Sequence, residues 1–234
     1  MGKKRKIVGI LGGLGPMATV DLFRRIVEFT PAKVDQEHLR IIIDCNPQIP
    51  DRTKAILYGG PDPTPELIAT AKNLVKAGAD FIVIPCNTAH YFLDYLKREV
   101  DIPIINMIEE TARYVRNNYP YAECVGLLAT SGTIKSNLYH KAFKKFGISV
   151  LAGDEKKTME AIYGEEGIKA GNLGEKPRRL LKEAAQELIR RGAQVIIAGC
   201  TEISLVLGEE DVSLPLVDPL TILAKVAVEL ALGI

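Results

Sequence analysis

Ile82-Val83-Ile84-Pro85-Cys86-Asn87-Thr88 and Ile196-Ile197-Ala198-Gly199-Cys200-Thr201-Glu202 are two versions of one unit. Each is a short apolar run of strand length that ends in a cysteine followed by a small polar residue. Each follows the same kind of helix: Ala71, Leu74, Gly78 and Ala79 fall at the offsets of Ala185, Leu188, Gly192 and Ala193. The copies lie about half the chain apart. Self-similarity at that period predicts two similar halves facing each other. The two cysteines would then meet across a shared cleft.

The echo extends outward. Cys124-Val125-Gly126-Leu127-Leu128 repeats Ile7-Val8-Gly9-Ile10-Leu11, and Thr130-Ser131-Gly132-Thr133 takes the place of the turn Gly12-Gly13-Leu14-Gly15-Pro16. Leu214-Pro215-Leu216-Val217-Asp218 mirrors Ile102-Pro103-Ile104-Ile105-Asn106. Between these runs lie helical patterns. From Met17 to Phe29, Val20, Phe23 and Val27 form one apolar face, with Arg24, Arg25 and Glu28 towards water. Thr64-Pro65-Glu66 opens a helix that Gly78 stops. Asn46 to Pro63, rich in Pro, Gly and Asp, reads as a long loop of the functional kind. Apolar strands alternating with helices mean parallel sheets covered on both faces. The expected fold is α/β: two similar doubly wound parallel-sheet domains related by a pseudo-twofold, with the active site in the cleft between them. Residues 1–105 with 217–234 are expected to form the first domain, and 106–216 the second.

Composition narrows the function. The 234 residues carry 30 basic and 29 acidic side chains, a balance that argues against a nucleic-acid binder. The run Lys3-Lys4-Arg5-Lys6 reads as a solvated tail. Met1 to Leu11 imitates a secretory leader, but glycines and Pro16 interrupt the apolar stretch. No apolar run reaches the ~20 residues that span a bilayer. A soluble cytoplasmic protein is expected. None of Cys45, Cys86, Cys124 and Cys200 forms a CxxC pair, which argues against a zinc knuckle or redox motif. Cys45 and Cys124 read as small core residues.

In sheets of this kind ligands bind beyond the carboxyl ends of the strands, where Cys86 and Cys200 both fall. Each lies near the start of a following helix, whose free amides and partial positive charge favour a thiolate. Two thiols on either side of a ligand suit inversion of a stereocentre. One removes a proton from one face, and the other returns a proton to the opposite face. The developing negative charge needs fixed donors. Asn87, Thr88, Thr130, Ser131, Thr133 and Thr201 are available, although helix capping is the competing use of each.

Gly12-Gly13-Leu14-Gly15-Pro16-Met17-Ala18-Thr19, Asn46 to Arg52, Pro85-Cys86-Asn87-Thr88-Ala89-His90, Lys169-Ala170-Gly171-Asn172 and Gly199-Cys200-Thr201-Glu202 together resemble the aspartate/glutamate racemase family, across essentially the whole chain. The resemblance implies a cofactor-independent enzyme without pyridoxal phosphate or metal, and a homodimer. It makes Cys86 and Cys200 the acid/base residues. It assigns Arg52 and Lys169 to the substrate's carboxylates, the side-chain one above all, and Asn87 and Thr88 to the α-carboxylate. Gly12-Gly13 and Cys200-Thr201-Glu202 fit the aspartate branch better than the glutamate branch, which commonly has Asp-Ser and Cys-Thr-His there. A glutamate-preferring or broader racemase of the same family is the alternative. Glu202 itself reads three ways: tuning Cys200, meeting the substrate ammonium, or capping a helix. His90 reads as a support of the Cys86 turn, and His38 and His140 as surface residues.

Three other functions compete. Gly13-x-Gly15-x-x-Ala18 fits a loose dinucleotide pattern, but Pro16 deletes an amide a pyrophosphate would use, and no acidic residue is clearly placed. A two-lobed amino-acid-binding protein without turnover would have no need of mirrored cysteines. Two thiols alone rarely suffice for zinc.

Overall fold

The computed structural model describes residues 5–234; Lys3 and Lys4 of the basic run lie outside them. In chain order the elements are β1 (Val8–Gly12), α1 (Pro16–Phe29), β2 (Ile41–Cys45), α2 (Arg52–Tyr58), α3 (Thr64–Lys76), β3 (Phe81–Val83), α4 (Leu93–Glu99), α5 (Met107–Asn118), β4 (Cys124–Leu128), α6 (Ser131–Lys135), α7 (Leu138–Lys144), β5 (Ser149–Ala152), α8 (Glu155–Tyr163), α9 (Glu175–Arg190), β6 (Val195–Ala198), β7 (Leu216–Val217) and α10 (Pro219–Leu232). They build two parallel sheets, in the orders β2-β1-β3 and β5-β4-β6-β7. The orders correspond strand for strand. The fourth position of the first sheet is a single parallel bridge, Ile82 to Ile104, in place of a named strand. The repeat is thus visible as geometry: β3 and β6 both lie beside the first strand of their sheet. The glycines that end the preceding helices, Gly78 and Gly192, have φ values of 96° and 95°. Only a residue without Cβ adopts that left-handed turn freely.

Matched caps close the repeat. Asn106 caps α5 through Ile108 N and Glu109 N. Asp218 caps α10 through Leu220 N. Helix α10 does not stay with the strand that precedes it. Its Leu220, Leu223, Ala224, Ala227, Val228 and Ala231 join Val8, Ile10, Leu22 and Ile26 in the core over β1. Helix α5 contributes Met107 to that cluster and Ile108, Ala112 and Val115 to the core of the second sheet. Each fully buried Leu or Ile stabilises by about 1.5–3 kcal/mol relative to exposure, so this stitching holds the halves as one body.

Several sequence expectations are corrected. The buried face of α1 is Ala18, Thr19, Asp21, Leu22 and Ile26, whereas Val20, Phe23 and Val27 are exposed. Arg25 does not face water: it pairs with Asp21 at 2.8 Å and Asp218 at 2.5 Å, tying α1 to the cap of α10. The long loop contains α2, capped by Asp51 through Lys54 N, so Arg52 opens a helix. Cys45 is exposed at the end of edge strand β2, and Cys124 is only half-buried. His38 and His140 are half-buried as well.

Candidate active site

Both cysteines follow the third strand of their sheet, and both are buried. The turn after Cys86 runs into a short 3-10 helix, Thr88–Phe92, and the turn after Cys200 into a shorter one, Ile203–Leu205. The first passes directly into α4, as expected of a helix from about Thr88, whereas the second is a single turn and offers a thiolate little dipole. Other groups shape the two turns. His90 Nε2 accepts from Met107 N at 3.1 Å, so Nδ1 donates to the Cys86 carbonyl at 2.8 Å. Burial lowers the pKa of His90, which keeps the ring neutral in this linking role. Thr201 Oγ1 donates to Pro85 O at 3.4 Å, joining the two cysteine turns directly.

Cys86 and Cys200 line one inner chamber with Leu14, Arg52, Thr53, Asn87, Thr88, Thr130, Tyr163, Lys169, Thr201 and Glu202. Its free volume is about 10 Å³, room for roughly one water. A mouth of about 430 Å³ opens outside it, lined by residues including Gly13, Gly15, Pro16, Met17 and Ile49. Arg52, Lys169 and Glu202 line both spaces and so stand at the threshold between them.

The chamber holds unfilled polar capacity. Three of its side-chain atoms, Arg52 Nε, Thr53 Oγ1 and Asn87 Nδ2, are buried without a hydrogen-bond partner. A buried donor left unsatisfied costs about 1–3 kcal/mol, which a bound oxyanion would recover. The orientation of Asn87 is fixed: Tyr139 Oη, itself buried, donates to Asn87 Oδ1 at 2.6 Å. The amide nitrogen is therefore the free end. Arg52 donates from Nη1 to Pro50 O at 3.1 Å and Ile49 O at 3.2 Å and from Nη2 to Leu14 O at 2.8 Å, which leaves Nε–H and one Nη2 hydrogen. Burial works against its charge, but neighbouring Cys86 and Asp51 raise its pKa.

Contacts between the halves close the chamber. The hydroxyls of Thr88, Thr130 and Thr133 form a triangle with sides of 3.1, 2.8 and 3.2 Å. Tyr163 donates to Asp51 at 3.1 Å, and its ring lies under the Lys169 ammonium, 5.4 Å from nitrogen to centroid. Ser131 and Thr133 are buried beside the chamber but do not line it. Thr53, Tyr163 and Tyr139 were missed in the sequence. Thr53 follows Arg52 directly, which was a signal; the tyrosines come from α8 and α7, and no local pattern marks them.

Cys200 departs from expectation. Its thiol lies 2.9 Å from Glu202 Oε2, while Glu202 Oε1 pairs with Lys169 at 2.6 Å. Burial pushes the thiol well above its ordinary range, and the Glu202 carboxylate adds to the rise. The expected lowering at a helix start is overturned here. Among the described residues no group of three or more His, Cys, Asp or Glu side chains is placed to hold a metal. No helix among them is long and apolar enough to cross a membrane.

Two mirrored thiols, unpaired buried polar atoms and two cations surround one chamber between the α/β halves. The Asp/Glu/hydantoin racemase family matches the chain over residues 11–227. A broad-specificity amino-acid racemase, RacX of Bacillus subtilis, is 28% identical over 94% of this chain and 95% of its own. The aspartate racemase of Picrophilus torridus superposes with a TM-score of 0.84 at 28% identity, covering 97% of this chain and 94% of that one. A Francisella tularensis glutamate racemase shares the fold, with a TM-score of 0.72 at 22% identity over 95% and 79% of the two chains. The chain belongs to the Asp/Glu/hydantoin racemase family and is an amino-acid racemase.

Proposed function

We propose that the chain interconverts L- and D-aspartate by direct proton transfer at the α-carbon, with Cys86 and Cys200 as the two acid/base groups and no cofactor. The observation that carries this reading is the shared chamber: equivalent cysteines of the two halves line it together with Arg52 and Lys169. One thiolate takes the α-proton, and the opposite thiol delivers its own to the other face. Asn87 Nδ2, Thr53 Oγ1 and the Thr88 and Thr130 hydroxyls hold the α-carboxylate as charge develops on it. Arg52 offers a planar fork for a second carboxylate.

The inner chamber is too small for an amino acid, so turnover includes a parting of the halves and re-closure around substrate. The bonds that must yield are the threonine triangle, Tyr163 to Asp51 and Thr201 to Pro85. A broader substrate range is the second reading. It is favoured by the likeness to RacX and by the Lys169–Glu202 pair, which leaves Arg52 as the cation without a carboxylate partner in the chamber. Incubation with single amino acids in heavy water, followed by chiral separation and mass analysis, tests both. Aspartate should racemise fastest and gain one deuterium at the α-carbon. Binding without exchange for every amino acid would overturn the proposal.

A further inference from the structure

We propose that Glu202 is a positioning residue that holds Cys200 as the thiol in the resting enzyme, leaving Cys86 as the resting base. This rests on the reading of the two cysteines as the proton-transfer pair. The carboxylate of Glu202 takes two donors, Lys169 Nζ on Oε1 at 2.6 Å and Cys200 Sγ on Oε2 at 2.9 Å, with the Thr201 hydroxyl 3.2 Å from Oε2. A carboxylate only accepts, so the sulfur must carry the hydrogen. A thiolate in its place would set two negative charges in contact. Moving the proton to Glu202 is no escape. Burial favours the neutral acid, but Lys169 and Cys200 hold the carboxyl below its ordinary pKa.

The first half differs at the matching position. Two residues beyond Cys86 is Thr88, which is neutral and engaged with Thr130 and Thr133. The charge beside Cys86 is the Arg52 guanidinium, whose Nε–H has no hydrogen-bond acceptor. The two sulfurs thus have neighbours of opposite charge: the Arg52 guanidinium shares the chamber wall with Cys86, and the Glu202 carboxylate touches Cys200. The other titratable groups facing Cys200 do not reverse this. Lys169 attracts a thiolate less than Glu202 repels it, and Tyr163 and Tyr139 have pKa values raised far above neutrality.

The asymmetry has a consequence for turnover. From rest, Cys86 thiolate breaks the Cα–H bond and becomes a thiol. Cys200 then gives its proton to the opposite face and becomes a thiolate beside Glu202. That product form is strained by like charge. It returns to rest by gaining a solvent proton at Cys200 and losing one from Cys86. One enantiomer therefore meets the resting enzyme directly, and the other needs the less populated form.

The test is iodoacetamide alkylation of each cysteine across pH, read by peptide mass, in the wild-type chain and in Glu202→Gln. At neutral pH wild-type Cys86 should react about tenfold or more faster than Cys200, because the thiolate is the form that alkylates. The glutamine variant should speed Cys200 and narrow the gap. It should also move the pH profiles of the two reaction directions towards each other. If Cys200 alkylates as fast as Cys86 in wild type, the assignment is overturned, whether or not the variant folds. An unchanged Cys200 rate in a folded Glu202→Gln overturns it too. α-Deuterium exchange keeps the two claims apart: exchange with equal alkylation rates removes the Glu202 role alone, and no exchange with any amino acid removes the racemase mechanism.

Discussion

Gly132→Ala should damage the enzyme where the halves touch. Gly132 sits in the first turn of α6, and a Cβ there would lie 2.7 Å from Thr53 Oγ1, 3.0 Å from Thr53 Cα and 3.1 Å from Thr88 Cγ2. Rotating the Thr53 side chain relieves the first contact but not the second, which is to backbone. The halves must shift apart, and Thr88 must leave the hydroxyl triangle that closes the chamber. Overpacking of this kind costs about 1–3 kcal/mol, and the helical preference of Ala over Gly returns up to about 1 kcal/mol. A net loss of about 1–2 kcal/mol lowers the melting temperature by about 2–8 °C for a chain of this size. Racemisation should fall by more than stability does, because Thr53 and Thr88 both line the chamber. Thermal unfolding by circular dichroism and kcat/KM from α-deuterium exchange give the two readings. Wild-type melting with wild-type kcat/KM would refute the close approach of α2 and α6.

Cys86→Ser and Cys200→Ser should each lower racemisation by about 10²–10⁴-fold with the fold retained; full two-way turnover in either variant counts against the two-thiol mechanism. Tyr139→Phe frees Asn87 Oδ1 and lets the amide turn. The loss of about 1–3 kcal/mol should appear as a fall of about tenfold or more in kcat/KM, and unchanged kinetics would mean that Tyr139 does not orient Asn87. Arg52→Ala should erode the preference for aspartate over alanine, and an unchanged ratio would remove Arg52 from side-chain recognition. Asp211 tests the pH dependence of stability. Burial opposes its charge, but Arg178, the Gly208 amide and Lys182 lower its pKa from 3.8 to about 2. The folded value lies below the unfolded one, so its contribution is present above about pH 4 and is lost as pH falls towards 2. With Arg178 and Lys182 partly exposed and screened, that contribution is about 1–2 kcal/mol. Asp211→Asn should abolish this part of the acid transition in urea unfolding at pH 2 to 6, and an unaltered transition would contradict the assignment.

The repeat was legible because it is written in the cheapest signals, apolar runs and glycines at matched offsets. The structure adds what periodicity leaves open. Helix α1 carries two apolar stripes, Ala18-Leu22-Ile26 and Val20-Phe23-Val27, and spacing does not choose between them. The ion pairs of Asp21 with Arg24 and Arg25 settle the choice, because they let an acid lie on the buried side. Helix α2 was hidden between Pro50 and the pair Gly59-Gly60, only seven residues long. Most of the site's polar residues could be named from motifs, but their charge state could not. The environment of Cys200 depends on Lys169, distant in sequence and brought to Glu202 only by folding. Asn87 likewise depends on Tyr139, across the chain's midpoint.

The placement of α10 bears on how the molecule is made. The core over β1 is finished by Leu220, Leu223, Ala224 and Ala227, which follow the strands of both sheets in the chain. Until α10 docks, Val8, Ile10, Leu22 and Ile26 lack part of their cover, whereas Cys86 packs in the separate cluster of Leu11, Leu67, Ile84 and Phe92. The core around β4 also takes Val217 from β7 and Ile222 from α10, so the same stretch of chain completes both sheets when it docks.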